Sequence, residues 1–168
     1  MSDNKVAGRN KLFAPNLVVI GIDNKYDGDY QGRIWDQYHL EAQKFRNSME
    51  LLRRVDAFLD DLDFPQRSTL PRSFAGKAVP EESKFGNRKE RQMVMKDLEG
   101  KNGNMGTFIV QVKYRQNATW QGQVVWAEQN RKVYFRSALE LMKLIDSAID
   151  EGELKDGADA QDPREAQA

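Results

Sequence analysis

Cysteine is absent from all 168 residues of the chain. That removes disulfides, thiolate nucleophiles and thiolate metal ligands together. Histidine occurs once, as His39, and neither a Ser–His–Asp relay nor a metal-ligand cluster can be assembled around it. No apolar run approaches the roughly 18–20 residues that a bilayer requires. Residues 1–10 are polar and lack the apolar segment of a secretory signal. These absences lead us to expect a soluble, cytoplasmic protein that does not engage a membrane. Net charge is missing too, because 26 basic and 26 acidic side chains cancel. An overall electrostatic case for nucleic acid or anionic lipid is therefore lacking. The charge is uneven, however: the opening stretch and the centre are basic, and the stretch after Glu151 is acidic.

What is present is a repeat. A shift of 90 positions lays residues 17–61 on residues 107–151 without a gap. Tyr30-Gln31-Gly32 falls on Trp120-Gln121-Gly122, Phe45-Arg46 on Phe135-Arg136, Glu50-Leu51 on Glu140-Leu141, and Asp56 and Asp60 on Asp146 and Asp150. The intervening exchanges are mild, such as Val19 for Ile109, Ile34 for Val124 and Val55 for Ile145.

The second stretch reads more clearly. From Thr107 to Tyr114 apolar and polar residues alternate, which is the period of a strand with one buried face. On that count Ile109, Gln111, Lys113 and Arg115 share a side. Gln121 to Glu128 reads as a second strand, and Lys132 to Phe135 as a short third. Ser137 three residues before Glu140, and Asn47 before Glu50, are capping-box spacings that open a helix. Apolar residues then fall at 138, 141, 142, 145, 148 and 149, on one helix face. The fold class expected is α+β, with internally duplicated β-β-β-α units at residues 17–61 and 107–151 sharing one core about a pseudo-twofold axis. One unit of about 45 residues could not bury its faces well alone. Residues 1–16 are expected to be a flexible N-terminus, 62–106 a basic connecting segment with a short helix over 89–98, and 152–168 a disordered acidic tail.

Most candidate sites yield to simpler readings. Gly100, Gly103 and Gly106 precede a strand, whereas phosphate cradles follow one and open a helix. Asp23 to Asp29 brushes against a calcium loop, but Lys25 and Ile34 occupy positions that need ligands. Glu50 and Glu140 are explained as helix caps, and Asp56 and Asp146 lie off the apolar stripe, as solvated residues do. No cofactor is implied. His39 reads as a surface residue in a hairpin. Gly32 and Gly122, at strand starts, read as a bulge or a close backbone contact, and the aromatics before them, Tyr30 and Trp120, as packing at the core edge, with stacking as the alternative.

Two surfaces remain. Leu139 and Leu144 give the second helix apolar residues where the first has Met49 and Arg54, which suits deeper burial or a protein partner. Lys113, Arg115 and Trp120, with Tyr114 and Trp126 nearby and Arg67, Arg72 and Lys77 from the connecting loop, form a basic and aromatic set of the kind that binds single strands. The candidate binding residues are accordingly Arg67, Arg72, Lys113, Arg115, Trp120, Gln121, Tyr30, Gln31, Leu139 and Leu144.

The run Tyr114-Arg115-Gln116-Asn117-Ala118-Thr119-Trp120-Gln121-Gly122, with Phe135-Arg136-Ser137-Ala138-Leu139-Glu140-Leu141 and its continuation to Ala148, resembles a set of small uncharacterised proteins from clostridia and related Firmicutes. Phe64-Pro65-Gln66 through Arg72-Ser73-Phe74 resembles the same set, and the likeness covers most of residues 17–150. It implies a bacterial origin and a small self-contained domain, and it brings no activity and no functional residues with it. The leading expectation is a non-enzymatic binding or adaptor protein that engages a protein partner or itself. The alternative is a single-stranded nucleic-acid-binding protein with a basic and aromatic sheet face. A small enzyme using carboxylates comes third.

Overall fold

Period-two alternation builds strands wherever one face can be covered, and here two helices cover it. A computed structural model of the chain describes residues 12, 14–75 and 98–159. The elements run β1 (Val18–Tyr26), β2 (Asp29–Asp36), β3 (Gln43–Phe45), α1 (Ser48–Leu62), β4 (Gly106–Tyr114), β5 (Gln121–Trp126), β6 (Arg131–Phe135) and α2 (Ala138–Asp159). The strands form one six-stranded antiparallel sheet in the order β3-β2-β1-β4-β5-β6. The fold is α+β.

The sheet is joined in the middle by β1 and β4, where Val19 pairs with Ile109, its counterpart 90 positions on. Outward from there, the registers of the two wings agree at that same offset. Ile22 pairs with Gly32 and Asn24 with Gln31; Val112 pairs with Gly122 and Tyr114 with Gln121. Both strands carry a bulge between those pairs, at Asp23 and at Lys113. The facing glycines explain the tolerance. A Cβ on Gly32 would run into the Gly21 carbonyl and the Phe45 ring, and one on Gly122 into the Gln111 carbonyl and the Phe135 ring.

One face of the sheet carries both helices. Val18, Ile20 and Ile22 of β1 and Phe108, Val110 and Val112 of β4 join Leu51, Val55 and Leu59 of α1 and Leu141, Ile145 and Ile149 of α2 in one core cluster. Burying each such side chain is worth roughly 1.5–3 kcal/mol, so this layer dominates any surface ion pair. The helix starts are built as their spacing predicts. Asn47 Oδ1 accepts from the Glu50 amide and Ser137 Oγ from the Glu140 amide, at 2.8 and 3.0 Å. Each glutamate reaches back, but to the amide one residue before the cap, at Arg46 or Arg136. A second acceptor was not foreseen: Asp29 takes the Ser48 amide and Thr119 takes the Ala138 amide.

Three expectations need correction. The segment 1–16 is not all loose, because Asn16 is buried and its amide donates to the Val112 carbonyl at 2.7 Å. The stretch after Glu151 does not begin a disordered tail, since α2 continues to Asp159. Its extension is held by Glu151, which pairs with Lys155 one turn on and with Arg131 of β6. The third strand of the second half starts at Arg131 rather than Lys132. The short helix expected over 89–98 falls almost wholly outside the described residues.

Candidate functional site

The bulge at Lys113 decides where the basic residues go. Alternation counted without it puts Lys113 and Arg115 on one side of the sheet. The extra residue instead leaves Lys113 and Tyr114 on the open face and swings Arg115 beneath the helices. Arg115 is 4% exposed. Its guanidinium donates to Asp60 at 2.5 Å and to the Pro65 and Leu59 carbonyls, with Asp56 3.7 Å away. Arg67 comes in from the connecting loop and donates to Asp56 at 2.5 Å and to Asp60 at 2.6 Å. Trp120 is buried, and its Nε1 lies 3.4 Å from Asp56. Thus Arg67, Arg115 and Trp120 do come together, around Asp60 and around Asp56, which read as solvated in the sequence.

The electrostatics of this cluster are inward-looking. Burial raises the Asp60 carboxyl, but hydrogen bonds and charge from Arg67 and Arg115 outweigh it and hold it below its ordinary 3.8. The Asp60 and Asp56 carboxylates in turn hold the Arg67 guanidinium above its usual range. A cleft of about 270 Å³ opens beside the cluster, lined by Arg53, Asp56, Arg67, Arg115, Thr119 and Trp120. Its cations are largely paired, so it offers little net charge to a phosphate.

The first half holds a matching but looser arrangement. Tyr30 is buried and its hydroxyl donates to Asp146 of α2, the counterpart of Asp56. Burial and that carboxylate together hold the phenol above its ordinary value. Lys25 stands where Arg115 stands, and reaches Asp150, the counterpart of Asp60, at 3.4 Å. Each half therefore grips the helix of the other. Gln31 and Gln121 are half-buried in the strands beside the bulges, and Gln121 bonds the backbone of Gln116.

The remaining candidates scatter. Leu144 packs against the core, whereas Leu139 is 65% exposed on α2. Arg72 is exposed in the loop after α1. His39 is bound through Nδ1 to the buried Asp36. Among the described residues no cluster of three or more His, Asp or Glu could hold a metal ion. None of their helices is long and apolar enough to cross a membrane.

The open face, opposite the helices, differs between the two wings. On β1 and β2, Arg33 is paired with Asp23 at 2.7 Å and donates to the Asn102 carbonyl, while Gly103 lies against Gly21. The chain itself covers that wing. On β4 to β6 four side chains stand clear, Lys113, Tyr114, Lys132 and Tyr134, all exposed, while Thr107, Gln123 and Val125 of the same face are buried. Both lysines approach the Tyr134 ring, Lys113 to 5.6 Å and Lys132 to 5.8 Å. Sequence reasoning passed over Lys132 and Tyr134, although their period-two spacing in a five-residue strand placed them together. No family model, no curated protein and no solved structure matches the chain.

Proposed function

We propose that the protein is a non-enzymatic binding or adaptor protein, built from a duplicated β-β-β-α unit whose halves are related by a pseudo-twofold axis at Val19 and Ile109. The shared register of the two wings and their reciprocal grips on each other's helices support the duplication. The polar groups best placed for chemistry are taken up by one another: Asp56, Asp60, Arg67 and Arg115 form one network.

The observation that carries the reading is the edge strand β6. Four of its five residues, Arg131 to Tyr134, are exposed, and among the described residues no strand lies beyond it in the sheet. Such an edge presents unpaired backbone groups to which an extended segment of a protein partner can add as a further strand. Leu139, exposed just after this strand in α2, supplies an apolar contact beside it. The test is capture of partners by the tagged full chain with nuclease present, followed by hydrogen-exchange footprinting of the recovered complex. Slowed exchange over Arg131–Phe135 is the expected result. A complex in which those amides exchange as fast as in the free chain would overturn the proposal.

A further inference from the structure

The open wing of the sheet carries a second surface, made of side chains rather than of a strand edge. The register fixes its composition. Gln111 faces Gln123, and Gln123 faces Tyr134 across the next strand; Val125 faces Lys132. Tyr114 faces Gln121, two positions along from Gln123, and so shares their side. The strand positions on this face are Thr107, Ile109, Gln111, Lys113, Tyr114, Gln121, Gln123, Val125, Lys132 and Tyr134, and none of them is Asp or Glu.

Four features of this face point the same way. Tyr134 and Tyr114 are 61% and 57% exposed, and two strand spacings with a two-residue offset set them about 12 Å apart. Two lysines flank the Tyr134 ring and are not drawn to any carboxylate of the face. The amides of Gln111 and Gln123 bond each other at 2.7 Å, and with Gln123 buried they brace the sheet beneath the exposed rings. The opposite wing, by contrast, has its arginine neutralised by Asp23 and covered by residues 102–104.

We infer that the β4–β6 face binds single-stranded nucleic acid, with unpaired bases stacking on Tyr134 and Tyr114 and phosphates meeting Lys113 and Lys132. An exposed ring between two cations matches a base followed by its phosphodiester, because every base has a π-face and every step a negative charge. A duplex keeps its base faces stacked internally and offers the rings nothing. This surface is not the one read from the sequence. Arg67, Arg115 and Trp120 serve the helix side, and Lys113 and Tyr114 carry over.

The test is fluorescence anisotropy of the full chain with labelled oligothymidylate and oligouridylate of roughly 20 nucleotides, and with a duplex of equal length. The single strands should bind and the duplex should bind far more weakly. Tyr134→Ala should weaken binding about tenfold, and Tyr134→Phe should restore it, since stacking needs the ring and not the hydroxyl. A Lys113→Gln, Lys132→Gln double variant should lower the salt slope by about 1.4, roughly 0.7 for each phosphate contact in a single strand. All of these side chains are exposed, so circular dichroism should match the wild type. Failure of the folded wild type to bind either strand, or unchanged binding by Tyr134→Ala, would overturn the inference. So would a protein partner that survives nuclease and is lost in Tyr134→Ala.

Discussion

The two halves of this molecule use the same positions with different strength. In the second, Arg115 lies under the helices with three acceptors, from Asp60, Pro65 and Leu59, and with Asp56 in ion-pair range. In the first, Lys25 makes one long contact with a half-exposed Asp150. Trp120 and Tyr30 each reach an aspartate of the opposite helix, yet only Asp56 also receives an arginine from the connecting loop. The difference arises at the C-terminal end of each helix. After α1 the chain turns back and delivers Arg67 and Pro65 to the network. Past residue 151 the second helix simply continues. The open faces reverse the pattern: residues 102–104 close over the first wing, and on the second Lys113, Tyr114, Lys132 and Tyr134 stay exposed. The second wing is thus the tighter on the helix side and the more exposed on the other.

Deleting the two cations at matching positions should accordingly not cost the same. Arg115→Ala leaves Asp60 without its closest partner and strips a donor from two buried carbonyls. Breaking a buried pair on one side typically costs 3–5 kcal/mol, and because Asp60 is itself half-exposed we expect about 3 kcal/mol. Lys25→Ala removes a solvent-exposed pair and should cost about 0–1 kcal/mol. Urea unfolding of both variants checks this, and equal losses would break the comparison.

Glycine substitution sharpens it from the other side, because here the halves should behave alike. Gly32→Ala and Gly122→Ala each drive a methyl into the carbonyl opposite the bulge and against a core phenylalanine. Overpacking of that kind costs about 1–3 kcal/mol, and we expect values near 2 kcal/mol at both sites in thermal or urea unfolding. A large loss at one glycine and none at the other would argue that the matching registers do not reflect one repeated unit.

The same two glycines show where sequence reasoning stopped. Strand periodicity, the Asn47 and Ser137 caps and the apolar stripes of both helices were legible because each is a local pattern with a fixed period. The bulges at Asp23 and Lys113 were not, since a single extra residue leaves no mark on composition. From that point the count of sides runs one residue out, which is why Arg115 read as a surface cation. The glycines did signal close backbone approach, but not on which strand the extra residue would lie. Arg67 was hidden for another reason. Its partners Asp56 and Asp60 are on a helix, and only the turn after Asp63 brings the loop back over them. Lys132 and Tyr134 were within reach of the alternation argument, which was spent on the longer strand β4.

Acid provides the smallest and most distributed test. Asp23 is held below its ordinary pKa by the Arg33 hydrogen bond, against burial. For Asp29, burial acts upward but the Ser48 hydroxyl and the amides of Tyr30 and Ser48 prevail. Asp60 is lowered by Arg67 and Arg115. Glu50, through the Arg46 amide and Arg54, falls from 4.5 to about 2. A carboxyl whose folded value lies below its unfolded value takes up its proton first in the unfolded chain. Its contribution is therefore complete above the unfolded value and is lost as the pH drops through the folded one. Stability should be flat above about pH 5 and decline from there towards pH 2. All but one of these four carboxyls belong to the first half's strands and loops or to the start of α1, and the exception, Asp60, is the one tied to Arg115. Asp60→Asn should start less stable at neutral pH and lose less on acidification, so its curve should converge on the wild type as the pH falls. Parallel curves in acid unfolding, monitored by tryptophan fluorescence, would mean that Asp60 does not couple the two halves electrostatically, and that the grip of Arg115 rests on Asp56 and on its bonds to the Pro65 and Leu59 carbonyls.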